Sequence, residues 1–162
     1  RTPDDSANKF NDHMYVVYKD EHGWVTRTWH CTTDPGVYWR EHPMNVDGTA
    51  ILVADQYRGS HKIGLHRGKY KALVQTGGRV RVYRDDNKDD ILDMDPATEQ
   101  DGYFGINLHK AGSHSPEVDK WSAGCQVWAN ADDFAAFMAI VEKSAETYGP
   151  QFTYTLIDEP PA

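Results

Sequence analysis

Cysteine is scarce in this chain, which has only Cys31 and Cys125 among 162 residues. Two cysteines cannot build the disulfide framework of a small secreted domain, and a chain of this length buries enough surface to fold without one. A single Cys31–Cys125 bridge is one alternative, and it would prevent Cys125 from acting as a thiol. Two free thiols are the other alternative.

Long apolar runs and an excess of basic residues are missing as well. No run approaches the roughly 18 apolar residues of a transmembrane helix, so no membrane insertion is expected. The net charge is −8, whereas nucleic acids and anionic membranes are bound by basic surfaces. We therefore expect no nucleic-acid partner and a ligand that is bound by shape and hydrogen bonds.

The length of the chain fits one domain. Residues 1–12 are polar and contain Pro3, which predicts a flexible arm. A single domain is predicted over residues 13–158, followed by a short tail over residues 159–162. We expect a monomer.

Short alternating segments predict β-strands over most of the chain. The clearest hairpin is expected where Gly77 and Gly78 join residues 72–76 to residues 79–84, because two-residue turns of the primed types need φ > 0. In its second arm Val80 and Val82 should face the core. Further strands are predicted over residues 13–18, 24–30, 49–54, 62–67, 103–109 and 152–157.

One long helix is predicted in the C-terminal half. Asn130 can cap it, and Gly149 with Pro150 can end it. Apolar residues follow the three-and-four spacing of a buried stripe: Phe134, Phe137, Met138, Val141, Ala145 and Tyr148. Many short strands with one late helix predict a mainly β fold, a sandwich or barrel with the helix packed alongside.

An acidic loop covers residues 85–93. Asp85, Asn87 and Asp89 copy the first three side-chain ligands of a calcium loop. The sixth position is Asp90 where such loops have glycine, and the twelfth is Pro96 where they have glutamate. A solvated turn and a structural calcium site are the alternatives, and the two mismatches favour the turn. No other cofactor is expected.

The candidate chemistry lies between Gly102 and Trp128, where Cys125 follows three small residues, Ser122-Ala123-Gly124. A thiol with a nearby imidazole base can attack a carbonyl carbon. Backbone N–H groups near Gly124 and Cys125 can stabilise the oxyanion that forms. A free cysteine is also often a small buried apolar residue, so a structural Cys125 is the alternative.

His109 is the predicted base because it ends an apolar strand that leads toward the Cys125 turn. An imidazole beside the thiol should lower the thiol pKa and favour a thiolate–imidazolium pair. His66 and His114 are the rivals, and His114 lies in a loop of small and polar residues. A zinc site with His109, His114 and Asp119 is a further alternative, but it lacks a fourth ligand at zinc-like spacing.

Two segments of this stretch carry a family resemblance. One strand ends with Gly105-Ile106-Asn107-Leu108-His109, and a spacer leads from it to Ser122-Ala123-Gly124-Cys125. An apolar strand, a helix and a last strand follow. This order resembles the L,D-transpeptidase catalytic domain (YkuD-like) family. The form Trp-Ser-Ala-Gly-Cys-Gln-Val is similar to that of divergent, phage-associated members. The resemblance spans about residues 24–158, and its specific residues are His109 and 122–125.

The resemblance implies a β-sandwich with a small helical element, in which residues 13–158 form a single catalytic domain. It implies that the substrates are peptidoglycan stem peptides and that the cysteine is acylated at an L-to-D peptide bond. It implies Cys125 as the nucleophile, His109 as the base, and Ser122 and Gly124 as residues that shape the turn. The residues expected to contact the substrate are His66, Trp121 and Gln126.

The chain departs from the family pattern at three places. The spacer after His109 is short, Ala123 stands where the family has a second histidine, and Val127 stands where it has arginine or asparagine. Transfer to an amine and hydrolysis, as by an L,D-carboxypeptidase or endopeptidase, are both left open. The expected location is the cell envelope, the periplasm or the medium. A phage-encoded protein is the alternative. A non-catalytic glycan- or peptide-binding module with a structural Cys125 is the alternative function.

Overall fold

The computed structural model describes residues 1–3 and 6–160. Within these residues the strands are β1 (Asp12–Asp20), β2 (Gly23–Thr32), β3 (Thr49–Leu52), β4 (Gln56–His66), β5 (Tyr70–Val74), β6 (Val80–Asp85), β7 (Gln100–Gly102), β8 (Leu108–Lys110), β9 (Gln126–Trp128) and β10 (Gln151–Thr155). The helices are α1 (Val37–Glu41) and α2 (Ala131–Tyr148), and one 3-10 turn covers Pro96–Thr98. None of these helices is long and apolar enough to cross a membrane.

The strands form two sheets. The larger sheet has the order β1-β2-β9-β8-β5-β4-β10, and the smaller has the order β3-β6-β7. The β8–β9 pair is parallel, while β1 and β2, which contain the predicted strands 13–18 and 24–30, form an antiparallel hairpin. The prediction of a mainly β fold with one long helix in the C-terminal half is therefore confirmed.

The predicted hairpin around Gly77 and Gly78 is wrong, because β5 belongs to the larger sheet and β6 to the smaller one. Neither glycine has a positive φ. Instead their N–H groups donate to the carbonyl oxygen of Ser60, at 2.9 and 3.2 Å. A Cβ on Gly77 would lie 2.1 Å from the carbonyl oxygen of Gly59. The glycine pair thus allows the chain to cross between the sheets in close contact with β4.

The predicted strand over residues 103–109 is also wrong for most of its length, since β8 contains only Leu108–Lys110. The side-chain oxygen of Gln75 accepts hydrogen bonds from the backbone N–H groups of Phe104, Gly105 and Ile106, at 3.0, 2.9 and 3.2 Å. These bonds replace a strand ladder. Gln75 therefore holds the loop that leads into β8.

Helix α2 packs its apolar face on the larger sheet. The side chain of Asn130 caps it by accepting from the N–H groups of Asp132 and Asp133. Trp128 of β9 stacks on Phe137 with ring centroids 4.4 Å apart. The predicted stripe is buried from Phe134 to Val141, but Tyr148 is 84% exposed. The buried face therefore ends before the last helical turn.

The start of the chain contacts the domain. The Nε–H of Arg1 donates to Asp34 at 2.7 Å, and its Nη2 group donates to the carbonyl oxygen of Leu52 at 3.0 Å. Residues 4–5 of the predicted arm and residues 161–162 of the predicted tail lie outside the described residues.

The acidic loop begins inside the protein. Asp85 is buried at the end of β6, and burial raises its pKa to about 6, so the loop is not wholly the solvated turn that was predicted. The amide of Asn87 donates to Asp89 and Asp93. The described residues contain no group of three or more histidine, cysteine or acidic side chains that could hold a metal ion. The structural calcium site stays an unsupported alternative.

Candidate active site

The parallel pair of β8 and β9 places the candidate base and nucleophile on neighbouring strands. His109 is opposite Val127 in this pair, and Cys125 directly precedes β9. The N–H of Gln126 donates to the carbonyl oxygen of Asn107 at 2.9 Å. Because side chains alternate along a strand, Asn107, His109 and Cys125 share one face. The fold therefore brings the predicted imidazole and thiol to the same side of the sheet.

Ser122 closes the turn that presents Cys125. Its side chain is fully buried. The hydroxyl donates to the carbonyl oxygen of Cys125 at 2.8 Å and accepts from the N–H of Gly124 at 3.2 Å. The carbonyl oxygen of Ser122 accepts from the N–H of Gly36 at 2.9 Å. These bonds fix the turn to the loop before α1.

Gly124 meets two requirements that another residue would not meet. Its φ is +114°, in the left-handed region. A Cβ at this position would also lie 2.4 Å from the carbonyl oxygen of Ala50 in β3. The backbone of the turn therefore packs directly on the smaller sheet.

Replacing Gly124 by alanine is expected to lower the free energy of unfolding by about 3 kcal/mol, because backbone strain and the clash with Ala50 add together. Gly68 is the matched control, since its φ is +70° but nothing lies within 4 Å of its Cβ position. Gly68→Ala should cost only about 1 kcal/mol. Urea denaturation measures both, and equal losses would contradict the close contact.

Both cysteines are free thiols, so the alternative of a Cys31–Cys125 bridge is wrong. Cys31 is fully buried, whereas Cys125 is partly exposed. The Sγ–H of Cys125 donates to the carbonyl oxygen of Gly105 at 3.4 Å. Burial raises the pKa of the Cys125 thiol to about 11, although the N–H of Asn107 and the cation of Arg67 oppose this shift.

His109 is held in one tautomer. Its Nδ1 lies 2.9 Å from the carbonyl oxygen of Lys110. A carbonyl oxygen can only accept, so Nδ1 carries the proton and Nε2 is left as the proton acceptor. The pKa of His109 is lowered to about 3, mainly by burial and to a smaller extent by the charge of the neighbouring His66. The ring is therefore a neutral base at physiological pH.

The predicted resting ion pair between Cys125 and His109 is wrong. Burial favours the neutral form of both groups, since it raises the pKa of the thiol and lowers that of the imidazole. Among the described residues the thiol donates to Gly105 and not to His109. A thiolate would therefore form during attack on a carbonyl, as the proton moves to the imidazole.

The predicted pair of oxyanion donors is reduced to one. The N–H of Gly124 is already bound to the hydroxyl of Ser122. The N–H of Cys125 makes no hydrogen bond within residues 1–3 and 6–160. The Cys125 N–H is therefore the backbone donor that this turn offers to an oxyanion.

His66 lies against the candidate base. Its ring stacks on His109 with centroids 4.0 Å apart, and its Nδ1 lies 3.2 Å from the amide nitrogen of Asn107. It is buried, and burial lowers its pKa. This position suits support of the His109 ring better than the predicted contact with substrate. The rival base His114 is exposed and pairs with Asn130.

Gln126 does not contact substrate as predicted. Alternation along β9 turns its side chain away from Cys125 and into the core, where it is fully buried. Its oxygen accepts from the hydroxyl of Tyr154 at 2.8 Å, and its amide donates to the carbonyl oxygen of Gly124 at 3.2 Å. Trp121 is exposed, and its contact with substrate stays a prediction.

The zinc alternative finds no support in the described residues. His109, His114 and Asp119 do not form a cluster that could hold a metal ion. His109 is buried, whereas His114 and Asp119 are exposed.

A groove of about 300 Å³ lies beside the Cys125 turn. Ala123 of the turn, Phe104 of the loop before β8, and Arg84 of β6 line it. The remaining lining residues are Trp39, Met44, Asn45, Gly48, Thr49, Ala50 and Tyr103. Sequence reasoning missed Arg84, but a signal was present: Arg84 has the same parity as Val80 and Val82, which predicts a charged side chain on the buried face of β6.

Comparison of the chain with protein-family models, with curated proteins and with solved structures gives no match.

Proposed function

We propose that this protein is a peptidoglycan-active cysteine acyl-transfer enzyme of the L,D-transpeptidase type. The observation that carries the proposal is the arrangement of His109 on β8 and Cys125 directly before the paired strand β9. The carbonyl oxygen of Lys110 fixes His109 so that Nε2 can accept a proton. The sequence resemblance at His109 and 122–125 supports the same chemistry.

The reaction begins with the neutral thiol. The sulfur of Cys125 attacks a carbonyl carbon of the stem peptide while its proton moves to Nε2 of His109. The N–H of Cys125 stabilises the oxyanion. As the tetrahedral intermediate collapses, the peptide C–N bond breaks and the imidazolium returns the proton to the leaving amine. The resulting thioester then passes its acyl group to an incoming amine or to water.

The groove beside the turn would hold the substrate. Ala123 lines it, so the small side chain at the position of the family's second histidine leaves this space open. Because the proposed substrates are stem peptides of peptidoglycan, the proposed location is the cell envelope, the periplasm or the medium. A phage-encoded enzyme would act on the same substrates. A monomer supplies both Cys125 and His109.

Purified peptidoglycan provides the test. The enzyme should convert stem tetrapeptides to tripeptide products or to new cross-links, which chromatography with mass detection separates. An excess of a D-amino acid in the reaction distinguishes transfer from hydrolysis, because transfer gives exchanged tetrapeptides and hydrolysis gives tripeptides. An unchanged muropeptide profile under all these conditions would refute the proposal.

A second candidate is a non-catalytic peptide- or glycan-binding module. The hydrogen bond from the Cys125 thiol to Gly105 and the raised pKa of that thiol favour it. This candidate predicts that muropeptides bind equally well to wild-type protein and to Cys125→Ala, with no change of protein mass. Any covalent adduct on Cys125 would exclude it.

A further inference from the structure

Arg84 is a buried cation in the wall of the groove beside Cys125. It lies in β6 on the same face as Val80 and Val82, which are fully buried, and it is only 9% exposed itself. Its side chain lines the groove. Arginine is rarely buried to this extent unless a carboxylate or another anion accompanies it.

The partners of Arg84 are neutral groups. Its Nε–H donates to the side-chain oxygen of Gln100 at 2.9 Å, and Nη1 donates to the carbonyl oxygen of Gly48 at 3.2 Å. In the described part of the chain it has no ion pair, and its Nη2 group makes no hydrogen bond. Asp47 is linked to Arg84 indirectly, because the side-chain amide of Gln100 donates a hydrogen bond to Asp47 at 2.9 Å. Burial accordingly lowers the pKa of Arg84, and the charge of Asp47 opposes that shift.

The guanidinium of Arg84 packs over the ring of Phe104, which also lines the groove. Its Cζ atom lies 4.9 Å from the ring centroid of Phe104. The next residue, Gly105, accepts the hydrogen bond of the Cys125 thiol, and Ala123 lines the same groove. A group bound to Arg84 would therefore lie in the groove that Ala123, two residues before Cys125, also lines.

We propose that Arg84 binds a carboxylate of the peptide substrate in this groove and selects stem peptides that carry that carboxylate free. This inference rests on the proposed function, since it names the substrate class of the same site. The free N–H groups of a guanidinium match the two oxygens of a carboxylate. The attraction between Arg84 and the carboxylate must be local, because the chain as a whole has a net charge of −8 and would repel an anion.

Binding to the Cys125→Ala protein tests the proposal without the chemical step. The ligands are a stem tetrapeptide and a series in which each carboxylate is converted to an amide, one at a time. We expect one amidated peptide to bind on the order of 30-fold more weakly than the parent, and the others to bind equally well. Calorimetry or fluorescence anisotropy gives the affinities.

The same series is then measured with Arg84→Gln in the Cys125→Ala background. Arg84→Gln should bind the parent and the sensitive amide with the same, weaker affinity. Arg79→Gln is the matched control, because Arg79 is exposed and pairs with Asp101 at the surface; it should keep the full discrimination. Discrimination that persists in Arg84→Gln, or equal affinity of all peptides for the Cys125→Ala protein, would overturn the proposal.

A second readout covers the case in which Arg84→Gln does not fold. The Nε–H resonance of Arg84 in the Cys125→Ala protein should shift with the parent peptide and stay in place with the sensitive amide, and no shift with either would overturn the proposal. Failure of the proposed function would give a different set of results. The peptides would then bind with discrimination, while the protein with Cys125 intact would form no acyl adduct and no product.

Discussion

Replacement of Cys125 by alanine is expected to reduce product formation from stem peptides by about 10⁴-fold or more, because it removes the sulfur that forms the acyl intermediate. The side chain is partly exposed, and its thiol donates a weak 3.4 Å hydrogen bond to Gly105. Its removal should therefore change the free energy of unfolding by less than about 1 kcal/mol. Product release from defined tetrapeptides, together with urea denaturation, separates loss of chemistry from loss of fold.

Cys31→Ala is the matched control for this variant. Cys31 is a free thiol as well, but it is fully buried in β2, opposite Trp128. Its replacement leaves a small cavity and should cost about 1 to 2 kcal/mol of stability while the specific activity of the folded protein is unchanged. Activity that survives Cys125→Ala, or that disappears only with Cys31→Ala, would contradict the assignment of the nucleophile.

Replacement of His109 by glutamine is expected to lower kcat/KM by about 10²- to 10⁴-fold, the usual contribution of a general base. Glutamine can keep a donor toward the carbonyl oxygen of Lys110 but cannot take the proton of the thiol. His114→Gln is the control, because His114 is exposed and outside the site. It should behave as wild type, and equal losses in the two variants would show that His109 is not the base.

The pH profile gives a second prediction for the same residue. His109 is active when neutral, that is, above its pKa of about 3. The thiol is protonated below its pKa of about 11. The active combination therefore exists throughout the interval between these values, so kcat/KM should be flat across pH 5 to 8. An imidazole with the ordinary pKa of about 6.5 would instead give an acid limb in this range, and such a limb would contradict the buried, neutral base.

Much of the fold follows from local patterns. The hairpin of β1 and β2, the burial of Val80 and Val82, and the helix capped by Asn130 are each fixed by alternation, helical periodicity or a capping side chain. Local patterns failed where the cause lies in another element. Gly77 and Gly78 are needed because the backbone of Ser60 lies against them, and no property of residues 72–84 alone shows that contact.

The candidate site residues stay predictions, and their electrostatics differ from what the sequence predicts. The apolar strand that ends at His109 predicts an approach to the Cys125 turn, whereas the parallel pairing of β8 with β9 rests on three residues in each strand. The expected ion pair failed because the degree of burial around both groups is a property of the packed sheets. The inward turn of Gln126 follows from the register of β9, which the sequence does not fix.

Intact-mass spectrometry tests the central claim most directly. Wild-type protein and Cys125→Ala are each incubated with stem tetrapeptides, and with a carbapenem, which the family resemblance predicts to acylate Cys125 and which adds its whole mass when the ring opens. The proposed mechanism predicts an acyl adduct on wild-type protein, located on Cys125 by peptide mapping, and none on Cys125→Ala. Product formation without any adduct on Cys125, or an adduct that forms equally on Cys125→Ala, would contradict it.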